Sequence, residues 1–299
     1  MLPRRTIRST GPLARIRSPR PINVTDQTHG ARSERPIILG RADNLLARIG
    51  VPLATIAGLV AAWQVVVAVF PIPAFILPGP VAVWRTAAAF GANWLPHLLA
   101  TMQIALAGFA LAAIVGVALA VIIVHSRTLS RVLTPVIVIL QIVPKIAFAP
   151  LFLVWFGLGP VPIVVITFLV AFFPMVINTA VSLAEVEPEL LDLTRVLRLS
   201  AWRVLWTVRF PGALPHIFSG LKVASTLAVV GAIIGEFVGS NRGLGYLILI
   251  ANNNLNTPLA LAAISMVSLF GLALYGAIVL IEAVSMPWRP GSLAPEATP

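Results

Sequence analysis

Residues 98–124 read LLATMQIALAGFALAAIVGVALAVIIV and carry no charged side chain anywhere in the stretch. A helix rises 1.5 Å per residue, so about 20 apolar residues cross the hydrocarbon core of a bilayer. The stretch is longer than that and shows no alternation of apolar and polar residues, which excludes a barrel strand. It therefore predicts a transmembrane α-helix.

Five further stretches are long and apolar enough to span a membrane, namely residues 51–70, 132–156, 161–184, 216–239 and 257–281. Two of them contain charges. Residues 132–156 span a bilayer only if Lys145 lies inside, and residues 216–239 carry Lys222 near one end and Glu236 near the other. The pattern predicts an all-α integral membrane protein with about six transmembrane helices, in a membrane domain of residues 49–286.

The composition agrees with a membrane protein. Hydrophobic residues make up 59% of the 299 residues and charged residues only 10%, against about 25% charged in soluble domains. There is no cysteine, and the four histidines lack metal-ligand spacing. With no phosphate-binding GxxxxGK[ST] run and no catalytic triad, we expect no enzyme activity, cofactor or metal site in this chain.

Basic residues predict the orientation of the chain in the membrane. Residues 1–50 hold ten arginines, and the segments expected outside, 71–97, 157–160 and 240–256, hold only Arg85 and Arg242. Because positive charge favours the cytoplasm, both termini are predicted to be cytoplasmic. Residues 1–48 are predicted to be a disordered basic tail that sets topology or touches anionic lipid, and residues 287–299 to be a second tail.

The segment 185–215 (EVEPELLDLTRVLRLSAWRVLWTVRFPGALP) is the longest charged stretch between spans. Its apolar residues recur at about helical spacing, and Pro188 and neighbouring acids suit a helix N-terminus. We predict two short amphipathic helices, with Pro211 and Pro215 breaking the chain before the next span. Amphipathicity alone leaves two interpretations open, a loop that lies on lipid or a docking element for a cytosolic partner.

This loop resembles the signature loop, or EAA loop, of binding-protein-dependent ABC importer permeases. That signature is Glu-Ala-Ala, three residues, Gly, nine residues, Ile, one residue and Leu-Pro. Here it falls on 192–194 (DLT), Arg198, Val208 and Phe210-Pro211. Arg198 replaces the glycine that marks a turn in the family, so a left-handed turn there would be strained. Residues 141–159 (QIVPKIAFAPLFLVWFGLG) resemble the branch that handles nitrate, sulfonates, taurine and pyrimidine precursors.

The resemblance, which covers about residues 50–288, implies a type I importer permease subunit in the bacterial cytoplasmic (inner) membrane. It implies a second copy of the chain, two cytosolic ATPase subunits that hydrolyse ATP, and an extracytoplasmic substrate-binding protein. It also implies alternating access for a small polar solute. The residues expected to couple to the ATPase are Glu189, Asp192, Thr194, Arg195, Arg198, Ser200, Trp202 and Pro211.

Polar and aromatic residues inside the spans are candidates for the solute pathway: Gln141, Lys145, Phe148, Thr226 and Glu236. A charge within a bilayer is costly, so Lys145 is expected to face protein or water. It lines the pathway or satisfies carbonyls freed by Pro144 and Pro150, and both interpretations stay open. In straight helices Glu236 lies about 10 Å further from the inner face than Lys145, which argues against an ion pair and places Glu236 near the outer loop.

Two other functions compete with that of an importer subunit. A stand-alone secondary transporter or channel predicts several coupled ionisable residues in the spans and gives the 185–215 loop no purpose. A membrane scaffold without a solute pathway predicts a function that does not depend on substrate.

Overall fold

The computed structural model describes residues 40–70, 72–186 and 188–287, with only the backbone described for residues 40–49, Arg127 and Pro188. Most of the predicted tail 1–48 and all but one residue of the predicted tail 287–299 therefore lie outside the described residues. The described residues divide into two units between Ile56 and Ala57.

All regular secondary structure in the described ranges is helical. Eleven α-helices are α1 Gly40–Val69, α2 Pro80–Phe90, α3 Trp94–His125, α4 Arg127–Ile142, α5 Ala149–Phe156, α6 Pro160–Ala184, α7 Pro188–Val196, α8 Ala201–Val204, α9 Phe210–Gly239, α10 Leu244–Asn253 and α11 Thr257–Ser285. Helical turns of other types occupy Gly91–Asn93, Lys145–Phe148 and Leu205–Arg209. Helix α1 begins at Gly40, within the segment predicted as tail.

Five apolar helical segments are long enough to cross a membrane: Gly50–Val69, Pro80–His125, Pro160–Ala184, Ala201–Gly239 and Thr257–Ser285. A sixth crossing consists of the pair Thr128–Ile142 and Lys145–Phe156, which is bent by 76°. The predicted set of about six spans is confirmed. The span predicted over residues 132–156 is broken, because α4 ends at Ile142 and Pro144 precedes a separate helical turn, Lys145–Phe148.

Helices α3, α6 and α9 form the centre of the fold, with α6 packed along both of the others. Small residues allow this close approach. Gly108 of α3 lies against Thr167, Gly116 lies against Met175, and Gly235 of α9 lies against Ile163. This is the small-residue packing expected between membrane helices, where attraction depends on dispersion contacts because lipid is as apolar as the side chains.

The segment 71–97 contains α2, in which Trp84 is exposed. Trp94, the first residue of α3, is enclosed by its neighbours. It is only 8% exposed, and its indole N–H donates to the Ala87 carbonyl at 2.8 Å. The turn at Gly91–Asn93 carries the chain from α2 into α3 and buries the ring against α10 and α11.

An ion pair between Lys222 of α9 and Glu282 of α11 joins two spans. The Glu282 carboxylate is buried, and Phe218, Ile278 and Met286 form an apolar cluster on the same two helices. The sequence alone places Lys222 near one end of its span and gives no sign of this pair. A buried pair of this kind leaves a costly unpaired charge if one partner is lost.

Candidate functional site

The segment between α6 and α9, residues 185–209, contains the predicted pair of short helices and is called the α7–α8 loop from here on. Helix α7 begins with Pro188 and has Glu189 in its first turn, where an acid is favoured by the helix dipole. The Arg195 guanidinium donates to Asp192 at 2.5 Å, one turn apart and exposed to solvent. Thr194 is buried, and its hydroxyl donates to the Leu191 carbonyl at 2.7 Å.

Arg198 adopts the left-handed conformation, with φ of 51°. The Leu199 N–H donates to the Thr194 carbonyl at 3.1 Å, and the Arg198 N–H donates to the Arg195 carbonyl at 3.0 Å. These two bonds define a Schellman motif, whose left-handed residue is usually glycine. Arg198 therefore stands in the strained position anticipated from the sequence, at a cost of about 1–2 kcal/mol.

The second half of the loop continues into the membrane without a break. Ser200 caps α8 by accepting a hydrogen bond from the Arg203 N–H at 3.4 Å. A π-helical turn over Leu205–Arg209 then leads into α9, where Pro211 occupies the first turn. The predicted break at Pro211 and Pro215 is wrong. The π turn replaces the regular α-helical hydrogen bonds just before Pro211 with a wider pattern, so the proline does not end the helix. Helical backbone therefore runs from Ala201 to Gly239.

The loop exposes several large apolar side chains. Trp202 is 57% exposed and Trp206 is 46% exposed, and Leu193, Val196 and Leu197 of the α7 end are also exposed. A row of aromatic rings in consecutive contact, with centroids 5.0–6.2 Å apart, consists of His125, Trp202, Trp206 and Phe210. Within the described residues, Arg209 ties this segment to α6 by donating to the Leu183 carbonyl at 3.3 Å.

The break between α4 and α5 brings three of the predicted pathway residues together. The Lys145 ammonium donates to the Gln141 carbonyl, which the end of α4 leaves open, and lies 4.7 Å from the centre of the Phe173 ring. Phe148 is exposed and stacks on Phe152. The contact with Gln141 is what the structural interpretation of Lys145 requires. The Lys145 side chain is also partly exposed.

The other two predicted pathway residues lie elsewhere. The Thr226 hydroxyl is exposed and donates to the Lys222 carbonyl at 3.2 Å within α9. Glu236 is 1% exposed, and its Oε2 accepts a hydrogen bond from the Gly245 N–H at 2.7 Å. No ion pair joins Glu236 to Lys145 among the side chains that the structure describes.

Residues 240–256, the α9–α11 loop, are anchored by side chains that sequence reasoning missed. The Gly243 N–H donates to His97 Nδ1 at 3.1 Å, and the Leu244 N–H donates to the Thr101 hydroxyl at 2.8 Å. Both acceptors lie about 145 positions away in sequence, so no local pattern signals them. Polar residues near the start of an apolar span were the only available clue.

A cavity of about 790 Å³ opens beside this loop, between the ends of α3, α6 and α9. Apolar residues such as Ile104 and Val164 form most of its wall. Gln103, Asn241 and Arg242 supply hydrogen-bond donors at one side. The α9–α11 end therefore has room for a small polar molecule.

These features are those of a membrane translocation subunit, with a packed helical domain, a broken span and an exposed amphipathic loop continuous with a central helix. Residues 112–283 match the family of binding-protein-dependent transport system inner membrane components. The chain belongs to this family. It is a multi-pass membrane protein and a permease subunit of an ABC transport system.

The chain is similar over most of its length to permeases of several solutes. It is 38% identical to a riboflavin transport system permease protein of Chloroflexus aurantiacus, over 81% of this chain and 90% of the relative. It is 32% identical to a formylaminopyrimidine transport permease protein of Halalkalibacterium halodurans, over 72% and 86%. It is 27% identical to the taurine transport system permease protein of Escherichia coli, over 82% and 92%.

Proposed function

We propose that two copies of this chain form the pathway of an ATP-driven importer, with ATP hydrolysed by separate cytosolic subunits that dock on the α7–α8 loop. The observation that carries the proposal is the exposed apolar face of that loop, joined without a break to α9. A substrate-binding protein delivers solute at the opposite face, where the α9–α11 loop lies. Both termini of the chain are then cytoplasmic.

The chemistry of the α7–α8 loop suits a protein partner. Tryptophan and arginine are enriched among the few residues that carry most of the binding energy of protein interfaces. Trp202 and Trp206 supply the aromatic anchors, and Glu189, Asp192, Arg195 and Arg198 supply a polar rim. A partner that covers the rings removes apolar surface from water, at about 25 cal/mol per Å².

The solute proposed for the pathway is a small polar molecule, either anionic or a polar heterocycle. The relatives are named for riboflavin, formylaminopyrimidine and taurine transport, and sulfonate and nitrate permeases also match. The break at Gln141, Lys145 and Phe148 offers one cation, one amide and one ring to such a molecule. Alternating access follows if ATP binding and release favour different arrangements of the two copies.

Affinity purification of the full chain tests the class of partner. An ATPase subunit with a phosphate-binding loop is expected to co-purify and to show ATP hydrolysis that substrate and its binding protein stimulate. Recovery of this chain alone, in detergents that preserve related complexes, would contradict the proposal and favour a stand-alone transporter.

Charge reversal at Asp192 tests the loop itself. Asp192→Arg removes the pair with Arg195 and places a repelling charge on the docking surface, so stimulated ATP hydrolysis is expected to fall several-fold. The matched control is Arg85→Glu in α2, a charge reversal outside the loop. Normal stimulation in Asp192→Arg would count against docking at this surface.

Lys145→Met separates the two interpretations of Lys145. The side-chain length is kept and the charge is lost, so solute uptake is expected to change while the complex still assembles. Unchanged uptake together with a lower melting temperature would assign Lys145 a structural role at the end of α4. Uptake is measured in vesicles with the ATPase and the binding protein present.

A further inference from the structure

A second cavity, of about 710 Å³, lies between the end of α3, the start of α4, the end of α6 and the α7–α8 loop. It is open at one side. Its inner wall is apolar, with buried Ile123 and Leu205 among the residues that form it. Because α3 and α6 end here, the cavity lies at the boundary between the apolar spans and the charged loop.

Three arginines from three different elements line this cavity. They are Arg131 of α4, Arg195 of α7 and Arg209 of the π turn. Among the described residues that line it, none is acidic. Asp192 binds Arg195 from the exposed side, and an exposed pair contributes little. Arg209 uses one of its five N–H donors on Leu183, so most of its donors remain for a ligand.

An apolar surface continues from the cavity along α4. Val138 and Ile142 are exposed and lie seven and eleven residues after Arg131, so they share its face of the helix. Arg131 lies at the start of this face, beside the cavity. The surface thus combines a cationic pocket with an adjoining apolar stripe that runs into the membrane region.

We propose that this cavity binds an anionic phospholipid, with the headgroup phosphate held by Arg131, Arg195 and Arg209 and an acyl chain along α4. Basic pockets between transmembrane helices bind such headgroups, because guanidinium forks match phosphate oxygens and the apolar wall accepts the chain. A cytosolic carboxylate would use the arginines but leave the stripe on α4 uncovered. Arg195 also belongs to the docking surface proposed above, so the test changes Arg131, which does not.

Retention of defined lipid by the purified full chain tests the site. The protein is reconstituted in nanodiscs of phosphatidylcholine with phosphatidylglycerol, extracted, and its bound lipids are counted by native mass spectrometry. Arg131→Gln is expected to weaken phosphatidylglycerol binding about fivefold, since a basic side chain near the surface contributes about that factor. Arg131→Lys keeps the charge and should recover much of the binding.

The control variant is Arg85→Gln, an exposed arginine of α2 that does not line the cavity. Selective loss of phosphatidylglycerol in Arg131→Gln, with phosphatidylcholine unchanged, supports the site. Equal loss in both arginine variants would overturn it, as would full displacement of the lipid by inorganic phosphate alone. Unchanged lipid retention with weaker ATPase binding would assign the arginines to the partner protein instead.

Discussion

The α7–α8 loop and the α9–α11 loop lie at opposite ends of α9 and differ in how many side-chain hydrogen bonds attach them to the helices. Each contains a Schellman motif with a side chain at the left-handed position, Arg198 with φ of 51° and Leu255 with φ of 54°. The α9–α11 loop is bound to α3 and α9 through His97, Thr101 and Glu236. Among its described residues, the α7–α8 loop has one comparable bond, from Arg209 to Leu183.

Burial follows the same division. In the α9–α11 loop the apolar residues Leu244, Leu247 and Ile248 are buried, whereas Trp202 and Trp206 in the α7–α8 loop are exposed. The α9–α11 loop thus buries its apolar residues within the chain itself. The α7–α8 loop leaves its apolar face open for a partner to cover. Mutations in the α9–α11 loop should therefore lower the stability of the protein. Mutations on the exposed face of the α7–α8 loop should instead weaken its assembly with a partner.

Glu236→Ala should have the largest effect, on stability. It removes the acceptor of the Gly245 N–H in a buried place and leaves space behind, for an expected loss of about 2–3 kcal/mol. Glu236→Gln keeps an acceptor oxygen and should lose less. Thermal unfolding in detergent measures both variants. An alanine variant as stable as wild type would contradict the role of Glu236 in holding the α9–α11 loop.

Gly245→Ala should cost about 1–3 kcal/mol through overpacking. An added Cβ would lie 2.8 Å from the Ile233 carbonyl oxygen, a backbone atom that cannot swing away. Gly276→Ala in α11 is the matched control, because its Cβ would meet no atom within 4 Å. The measurement is the difference between the melting temperatures of the two variants. Equal melting temperatures would show that the backbone around Gly245 shifts to accommodate the Cβ.

Trp202→Ala should leave the melting temperature nearly unchanged and weaken ATPase binding. An aromatic anchor is worth about 2 kcal/mol in an interface, which is roughly a 30-fold loss of affinity. Trp84→Ala, also at an exposed tryptophan but in α2, provides the control. If both variants bind the ATPase as wild type does, the exposed face of the α7–α8 loop is not the docking surface.

Arg198→Gly should have the smallest effect, a gain in stability of about 1 kcal/mol from relief of the left-handed strain. Leu255→Gly should give a similar gain, because the two motifs have the same geometry. Arg198→Ala retains a Cβ and should give little. Urea unfolding of the three variants measures this, and a loss of stability in Arg198→Gly would mean that its side chain contributes more than the strain costs.

The spans and the α7–α8 loop could be predicted from sequence, because both depend on local periodicity. Residues 98–124 are apolar throughout, and the arrangement of Pro188, Glu189 and Asp192 indicates a helix start without reference to the rest of the chain. The strained turn at Arg198 was anticipated from the resemblance alone, because Arg198 stands where the signature loop of the family has a turn glycine.

Features that depend on distant partners could not be predicted. The bonds of His97 and Thr101 to Gly243 and Leu244, and the pair of Lys222 with Glu282, join elements far apart in sequence. The path of the chain through Pro211 was misjudged for another reason. A proline in the sequence favours a helix break, and only the structure shows that a π turn before Pro211 keeps the helix continuous.

The unbroken helical run from Ala201 to Gly239 has a mechanical consequence. Its 39 residues extend about 58 Å, so a tilt of only 5° at one end displaces the other by about 5 Å. That displacement is comparable to the diameter of a small solute. A few degrees of rotation at Trp202 therefore suffice to shift the backbone beside Glu236 by the width of the molecule being carried.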